Sequence, residues 1–318
     1  MNASPAGPVA VIDIGSNSIK ILVAYRAASG ALETLHYRTI DARISAGISR
    51  NEPRLSEEGM ARGIDAITSL LADATTHTAS NIILAATSAV RDARNGSDFI
   101  ACIQAKTGHT IRLLSGEEEA NLIGRGLTCD PALAGLRDFY VFDLGGGSLE
   151  CLAFRERRIT QAVSLPLGCV RLTEKFITDP TAPLTTAHTQ VIAAHVRALI
   201  QQSGFSFSLP STATSIGTGG TVTTVRTILA ARTGLPLAKI PTSLPVTTLR
   251  ALLAEIGELP LVARQHIAGL PPARADVFPT ALATVITLAE LGGFNAFENS
   301  LYNLRWGLVA EALDPASA

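Results

Sequence analysis

Ile12-Asp13-Ile14-Gly15-Ser16-Asn17-Ser18-Ile19-Lys20 recurs 130 positions later as Phe142-Asp143-Leu144-Gly145-Gly146-Gly147-Ser148-Leu149-Glu150. The two stretches align without a gap: Asp13 on Asp143, Gly15 on Gly145, Ser18 on Ser148, Ile19 on Leu149. An apolar run precedes each copy and another follows it, which predicts strand, small-residue turn, strand. A duplicated turn of this kind predicts two similar halves facing each other across a cleft. It would bring two carboxylates and two sets of backbone N–H groups there, equipment suited to a phosphate chain with a divalent cation.

Working outward, the first half alternates strand and helix signals. Strands are expected at Val9–Ile14, Ile19–Tyr25, Leu32–Ile40, Asn81–Ala86 and Thr110–Leu114. Helices are expected at Leu55–Leu71 and Asp98–Lys106, the latter stopping at Gly108. Ser115-Gly116-Glu117-Glu118 reads as a capping box opening a helix over Glu119–Leu127. Thr128–Leu136, with Pro131 and Gly135, reads as a linker. After the second copy of the turn come a strand at Ile159–Leu165 and a helix at Thr185–Gln202. A strand from Thr214 then runs into a Gly-rich turn, with a helix at Thr221–Ala231. Pro236–Pro245 reads as loop, followed by helices at Thr247–Ile256, around Leu261–Ile267, at Val277–Leu291 and at Leu304–Leu313. Strand triplets followed by helices, repeated once, give an α/β fold of two similar domains.

Bulk properties set bounds. The 318 residues suit two domains, and 47% apolar with 17% charged residues argues against long disorder. A net charge of −1 leaves nothing global to attract a polyanion. A nucleic acid polymer is therefore not an expected partner, and any phosphate site must be a local basic groove. Lys20, Lys106, Lys175 and Lys239 are the only lysines; the rest of the basic charge is Arg, a better fork for phosphate oxygens or simply codon bias. Cys102, Cys129, Cys151 and Cys169 lack zinc-ribbon spacing and read as buried, reduced and intracellular. The N-terminus Met1-Asn2-Ala3-Ser4-Pro5 shows no secretory signal. No run reaches the roughly 20 apolar residues of a membrane span. A cytoplasmic location without membrane contact is expected.

Several segments could carry chemistry. Gly15 lets the backbone approach a ligand, and Ser16, Asn17 and Ser18 add small donors; a single such turn would be ordinary, and the second copy makes it functional. Ile216-Gly217-Thr218-Gly219-Gly220-Thr221 is another strand-to-helix turn, able to hold an anion or to be a tight structural turn. Glu117, Glu118 and Glu119 complement a helix dipole at a first turn. Glu118 suits the cap, leaving Glu119 to point elsewhere. Arg91, after a buried strand, and Arg171, in Leu167–Arg171, are surface charges or phosphate clamps. No H-E-x-x-H or G-x-S-x-G occurs, which disfavours zinc and serine hydrolases.

Together these motifs resemble the exopolyphosphatase and guanosine pentaphosphate phosphatase family, within the sugar kinase, Hsp70 and actin superfold. The resemblance runs from Val9 to about Leu308. It takes in V-I-D-I-G-S-N-S, A-T-S-A-V-R-D, S-G-E-E-E-A, V-F-D-L-G-G-G-S-L-E, L-P-L-G-C-V-R-L-T-E, G-T-G-G-T, D-V-F-P-T-A and L-R-W-G in order. It implies two ribonuclease H-like (actin-like ATPase) domains with an interdomain cleft. The first would cover residues 1–127, with a C-terminal helix of about 303–318 packing back on it, and the second residues 128–302.

The resemblance also implies roles. Glu119 would be the general base, Arg91 would bind phosphate at the scissile bond, and Asp13 and Asp143 would position Mg2+. Glu150 would sit near metal and water. Gly15–Ser18, Gly145–Ser148 and Gly217–Thr221 would bind phosphate, as would Arg171. The implied activity is an Mg2+-dependent exopolyphosphatase acting on short chains, or a phosphatase of guanosine pentaphosphate, working as a homodimer. A non-catalytic phosphate-chain sensor is the rival from another class; a kinase of the same superfold lacks an identifiable acceptor site. Two departures stand out: Arg305 keeps its place in Asn299–Gly307 while its flanks differ, and Ala42-Arg43-Ile44-Ser45-Ala46-Gly47 replaces R-L-G-x-G. Base recognition could come from the loops Arg43–Arg54 or Pro236–Pro245.

Overall fold

The computed structural model describes residues 7–48 and 52–314. Met1–Pro5, part of the loop Arg43–Arg54 and the end of the expected C-terminal segment lie outside these residues. The chain divides into two units: residues up to Gly135 together with those from Tyr302 onward, and Leu136–Leu301.

The first unit is built on strands β1 (Val9–Ile14), β2 (Ile19–Arg26) and β3 (Leu32–Ile40), then α1 (Glu57–Thr76), β4 (Asn81–Ala86), the one-turn α2 (Ser88–Arg91), α3 (Gly96–Thr107), β5 (Ile111–Leu113) and α4 (Gly116–Thr128). Its sheet runs β3-β2-β1-β4-β5. β1 pairs antiparallel with β2 and parallel with β4. Both faces of β1 are covered, which is why V-A-V-I, ahead of Asp13, reads as an unbroken apolar run rather than an alternating one. Ile12, Ile14, Ile19 and Ile21 pack with Ile67, Leu70, Phe99 and Ile103 in one core. Burying such a side chain contributes roughly 1.5–3 kcal/mol.

The second unit repeats the plan: β6 (Phe139–Leu144), β7 (Leu149–Arg155), β8 (Arg158–Leu165), α5 (Cys169–Phe176), α6 (Thr186–Gln202), β9 (Thr214–Thr218), α7 (Gly220–Thr233), β10 (Ser243–Pro245), α8 (Val246–Gly257), α9 (Leu261–Arg264), α10 (Phe278–Gly292) and β11 (Ala296–Asn299). Its sheet runs β10-β11-β9-β6-β7-β8. With β10 set aside, the order is that of the first sheet. α10 is buried along nearly its whole length, and the Thr284 and Thr287 hydroxyls donate back to the carbonyls of Thr280 and Ala283. Among the described residues no helix is long and apolar enough to cross a membrane. The last helix, α11 (Leu304–Leu313), belongs to the first unit and packs on α4, β1 and β2.

Several expectations need correction. Pro236–Pro245 is not all loop: it contains a 3-10 turn at Leu237–Lys239 and strand β10, which pairs with β11. β11 was not anticipated, because four residues, A-F-E-N, give too little pattern. α5 was also missed, its apolar positions being interleaved with Arg171, Glu174 and Lys175. The helix around Leu261–Ile267 closes after one turn at Arg264. Cys102 is exposed, against the expectation that the thiols are buried.

Candidate functional site

The first unit assembles its chemistry where β1 and β4 end together. The turn between β1 and β2 closes when Gly15 N–H donates to the Ser18 carbonyl at 3.3 Å. The segment beyond β3 holds it from outside: Arg43 N–H donates to the Asn17 carbonyl at 2.9 Å, and the Ser45 N–H and hydroxyl both donate to the Ser16 carbonyl. The turn is therefore fixed through its carbonyls. Asn17 is 7% exposed, yet neither its Oδ1 nor its Nδ2 has a hydrogen-bond partner. A buried amide left so costs free energy unless a ligand completes it.

Thr87 N–H donates to the Ile14 carbonyl, and the Ser16 and Ser88 hydroxyls lie 3.5 Å apart, so α2 starts against the turn. Arg91 ends α2. Its Nη1 donates to the Leu114 carbonyl and to Glu119 Oε2, both at 2.9 Å. Glu119 is 5% exposed. The neighbouring Glu118 completes the capping box: its carboxylate accepts from Ser115 N–H, and Ser115 Oγ accepts from Glu118 N–H. Glu119 is thus spared from capping and turned inward to Arg91.

In the second unit, Gly145 N–H donates to the Ser148 carbonyl at 3.0 Å. The start of α5 takes up the turn's carbonyls: Cys169 N–H donates to Gly145, and the Val170 and Arg171 N–H groups donate to Gly146. Arg171 Nε donates to the Gly147 carbonyl at 2.9 Å. Arg171 thus braces the turn in this structure. The third turn starts α7. Gly219 takes φ +81°, and a Cβ on it would lie 2.2 Å from Asp143 Oδ1. The Thr221 hydroxyl, at the start of α7, is buried and has no hydrogen-bond partner.

Among the described residues no group of three or more His, Cys, Asp or Glu side chains is disposed to hold a metal. Asp143 and Glu150 do stand directly opposite each other across the β6–β7 ladder, and Glu150, itself buried, accepts from the Ser164 hydroxyl at 2.7 Å. Like charges so placed repel, and a cation between them relieves it. Two carboxylates with water and phosphate oxygens suit Mg2+, so these residues fit such an ion. Asp13 is differently placed: it accepts from Arg305 Nη1 at 3.0 Å and faces Lys20 across β1–β2.

Sequence reasoning missed Ser45 and Ser88, which anchor the first turn, and Arg274, whose guanidinium occupies the space a Cβ on Gly220 would need. A lone serine, in a loop as Ser45 is or opening a one-turn helix as Ser88 does, gives no such signal. Arg274 lies beside the D-V-F-P-T-A motif, and only the folded chain brings it to the third turn.

Residues 22–315 match the Ppx/GppA phosphatase family. The chain is 31% identical over 291 residues to exopolyphosphatase 2 of Mycobacterium tuberculosis, covering 89% of this chain and 90% of that protein. It is 29% identical over 300 residues to the guanosine-5'-triphosphate,3'-diphosphate pyrophosphatase of Aeromonas hydrophila, covering 94% of this chain. The alignment spans 58% of that relative's length. The crystal structure of an exopolyphosphatase from Cytophaga hutchinsonii superposes with a TM-score of 0.87 at 23% identity, covering 97% of this chain and 98% of the other. An Aquifex aeolicus Ppx/GppA structure gives 0.76 at 22%, covering 96% and 99%. These likenesses are of fold: two α/β halves of the actin-like ATPase type.

Proposed function

Because the chain belongs to the Ppx/GppA phosphatase family, we propose that it hydrolyses the terminal phosphoanhydride bond of inorganic polyphosphate, with Glu119 activating the attacking water. The observation that carries this is the Arg91–Glu119 pair: a buried carboxylate, not needed for capping, is held 2.9 Å from an arginine on the helix that starts against the first turn. In-line phosphoryl transfer asks little covalent work of the protein; it needs aligned reactants and neutralised oxygen charge. Arg91 transfers a donor from Glu119 to an arriving phosphate oxygen, which frees Glu119 to accept the water proton. In the first unit the Asn17 amide suits phosphate oxygens, and in the second the N–H groups of Gly146, Gly147 and Ser148 and the Thr221 hydroxyl do. Asp143 and Glu150 hold the divalent cation, read here as Mg2+, which when bound neutralises phosphate charge.

A second reading, hydrolysis of guanosine pentaphosphate, is supported by the Aeromonas hydrophila relative, at an identity close to that of the mycobacterial exopolyphosphatase. The four cysteines, none of them in a disulfide, support a cytoplasmic setting, and the family resemblance supports a homodimer, which light scattering would check. The deciding experiment measures phosphate release from polyphosphates of several lengths and from guanosine pentaphosphate, with Mg2+ and after chelation. Release from polyphosphate that chelation abolishes is expected. Faster release from guanosine pentaphosphate selects the second reading. Tight binding of both without release leaves the sensor.

A further inference from the structure

The buried Asn17 amide has no hydrogen-bond partner, and the segment lying against it, Ala42–Ile48, has its own polar groups engaged elsewhere. That segment gives its donors to the backbone of the first turn: Arg43 N–H to the Asn17 carbonyl, and the Ser45 N–H and hydroxyl to the Ser16 carbonyl. Its carbonyls are taken from the other side. Arg62, on α1, donates from Nε to the Ala42 carbonyl at 2.8 Å and from Nη2 to the Arg43 carbonyl at 3.1 Å. The Arg43 carbonyl also accepts from Ala46 N–H at 3.2 Å, so both of its lone pairs are used.

The hold of α1 on this segment is built into the helix. Gly59, Arg62 and Gly63 are spaced to share one face. A Cβ on Gly59 would lie 2.8 Å from the Ile44 carbonyl oxygen, and one on Gly63 would lie 2.9 Å from Ile44 Cγ2. The glycines let α1 approach, and Ile44, fully buried in the core of the first unit, locks the contact. Between Ile44 and the turn, Arg43 takes φ +46°, a left-handed conformation unfavourable for a residue with a side chain. Its N–H bond to Asn17 and its carbonyl bond to Arg62 hold it there. Strain that neighbours enforce in this way is a mark of preorganisation.

We propose that Arg62 is a positioning residue for substrate: acting through Arg43, it keeps the first turn in a conformation that leaves the Asn17 amide open to phosphate oxygens. The proposal rests on the phosphate-chain reading of the site and lies wholly within the first unit. Without Arg62, the Arg43 carbonyl regains a lone pair and Arg43 relaxes from its left-handed conformation. Asn17 Nδ2 then turns to that carbonyl, and a phosphate oxygen has to displace the bond.

The test is calorimetric titration of tripolyphosphate, with Mg2+ present, into protein carrying Glu119→Gln so that no turnover intervenes. Arg62→Met and Asn17→Ala are introduced singly and together. Arg62→Met should weaken binding roughly fivefold, as displacing one hydrogen bond requires, and Asn17→Ala should weaken it at least as much. On top of Asn17→Ala, Arg62→Met should change affinity by less than about twofold, because the group it acts through is gone. A merely structural role, or a long-range effect of the Arg62 charge, weakens binding by the same factor in both backgrounds, and that result overturns the proposal. Parent-like binding by either single variant overturns it too. Amide hydrogen exchange supplies a readout without ligand: in Arg62→Met the Arg43 and Ser45 N–H groups should exchange about tenfold faster while the β1 amides keep the parent's rates. Faster exchange that extends to β1 is loss of stability and counts against the proposal. Local acceleration in a chain whose parent binds no tripolyphosphate would sink the phosphate reading and leave the hold of Arg62 on the turn standing. Uncoupled variants in a chain that releases phosphate from polyphosphate would do the reverse.

Discussion

Arg91 Nη1 bridges Glu119 Oε2 and the Leu114 carbonyl, 2.9 Å from each, tying the end of α2 to the start of α4. This pairing gives Glu119 a fixed orientation and a charge partner that a phosphate can draw away. Glu119→Gln keeps the side chain's shape and an oxygen for Arg91 but cannot take a proton. Phosphate release should fall by about 10²–10⁴-fold while tripolyphosphate binding persists. Release by this variant within a few-fold of the native rate would remove Glu119 from the role of base.

Gly219 faces Asp143 at van der Waals limits. Its φ of +81° disfavours any side chain, and a Cβ would sit 2.2 Å from Asp143 Oδ1. Gly219→Ala should push Asp143 away from Glu150 and weaken Mn2+ binding, followed by electron paramagnetic resonance, by about tenfold or more. Unchanged Mn2+ affinity in this variant would mean that Asp143 does not hold the ion.

Much of this was legible in the sequence because the decisive signals are local and repeated. The two turns announced two similar sheets, and the Ser115–Glu118 spacing gave both the cap and the freedom of Glu119. Contacts made by distant residues were not legible. Arg305 and Asp13 are 292 positions apart, and nothing near either predicts their ion pair. The opposed charges of Lys20 and Glu150 stand in plain view, but their meaning depends on ladder register, which places one opposite Asp13 and the other opposite Asp143. β11 escaped because four residues carry too little periodicity, and β10 because its Pro245 reads as a loop.

Gly307 allows the close approach of α11 and α4. A Cβ there would lie 1.9 Å from the Leu122 carbonyl oxygen, a backbone atom in mid-helix that cannot turn aside. Gly307→Ala should therefore cost about 1–3 kcal/mol, read as a lower urea midpoint at constant slope. Because α4 carries Glu119, turnover should fall as well. A midpoint equal to the native one would show that the helices pack less closely than described.

The capping box gives stability a defined response to acid. Hydrogen bonds from the Ser115 N–H and its hydroxyl hold the Glu118 carboxyl below its ordinary pKa of 4.5. A carboxyl with a folded pKa below its unfolded one contributes stability that is fully present above the unfolded value and is lost as pH falls through the folded one. The contribution should thus be intact above about pH 4.5 and decline below it. Glu118→Gln keeps a weaker cap without the charge, so the midpoint difference between native and variant proteins should shrink as melts are taken from pH 6 to below the ordinary carboxyl pKa of 4.5. Ser115→Ala, which removes the hydroxyl, should cost about 1 kcal/mol at neutral pH. A native-to-variant difference for Glu118→Gln that holds constant across this range would show that the charge of Glu118 plays no part in the cap.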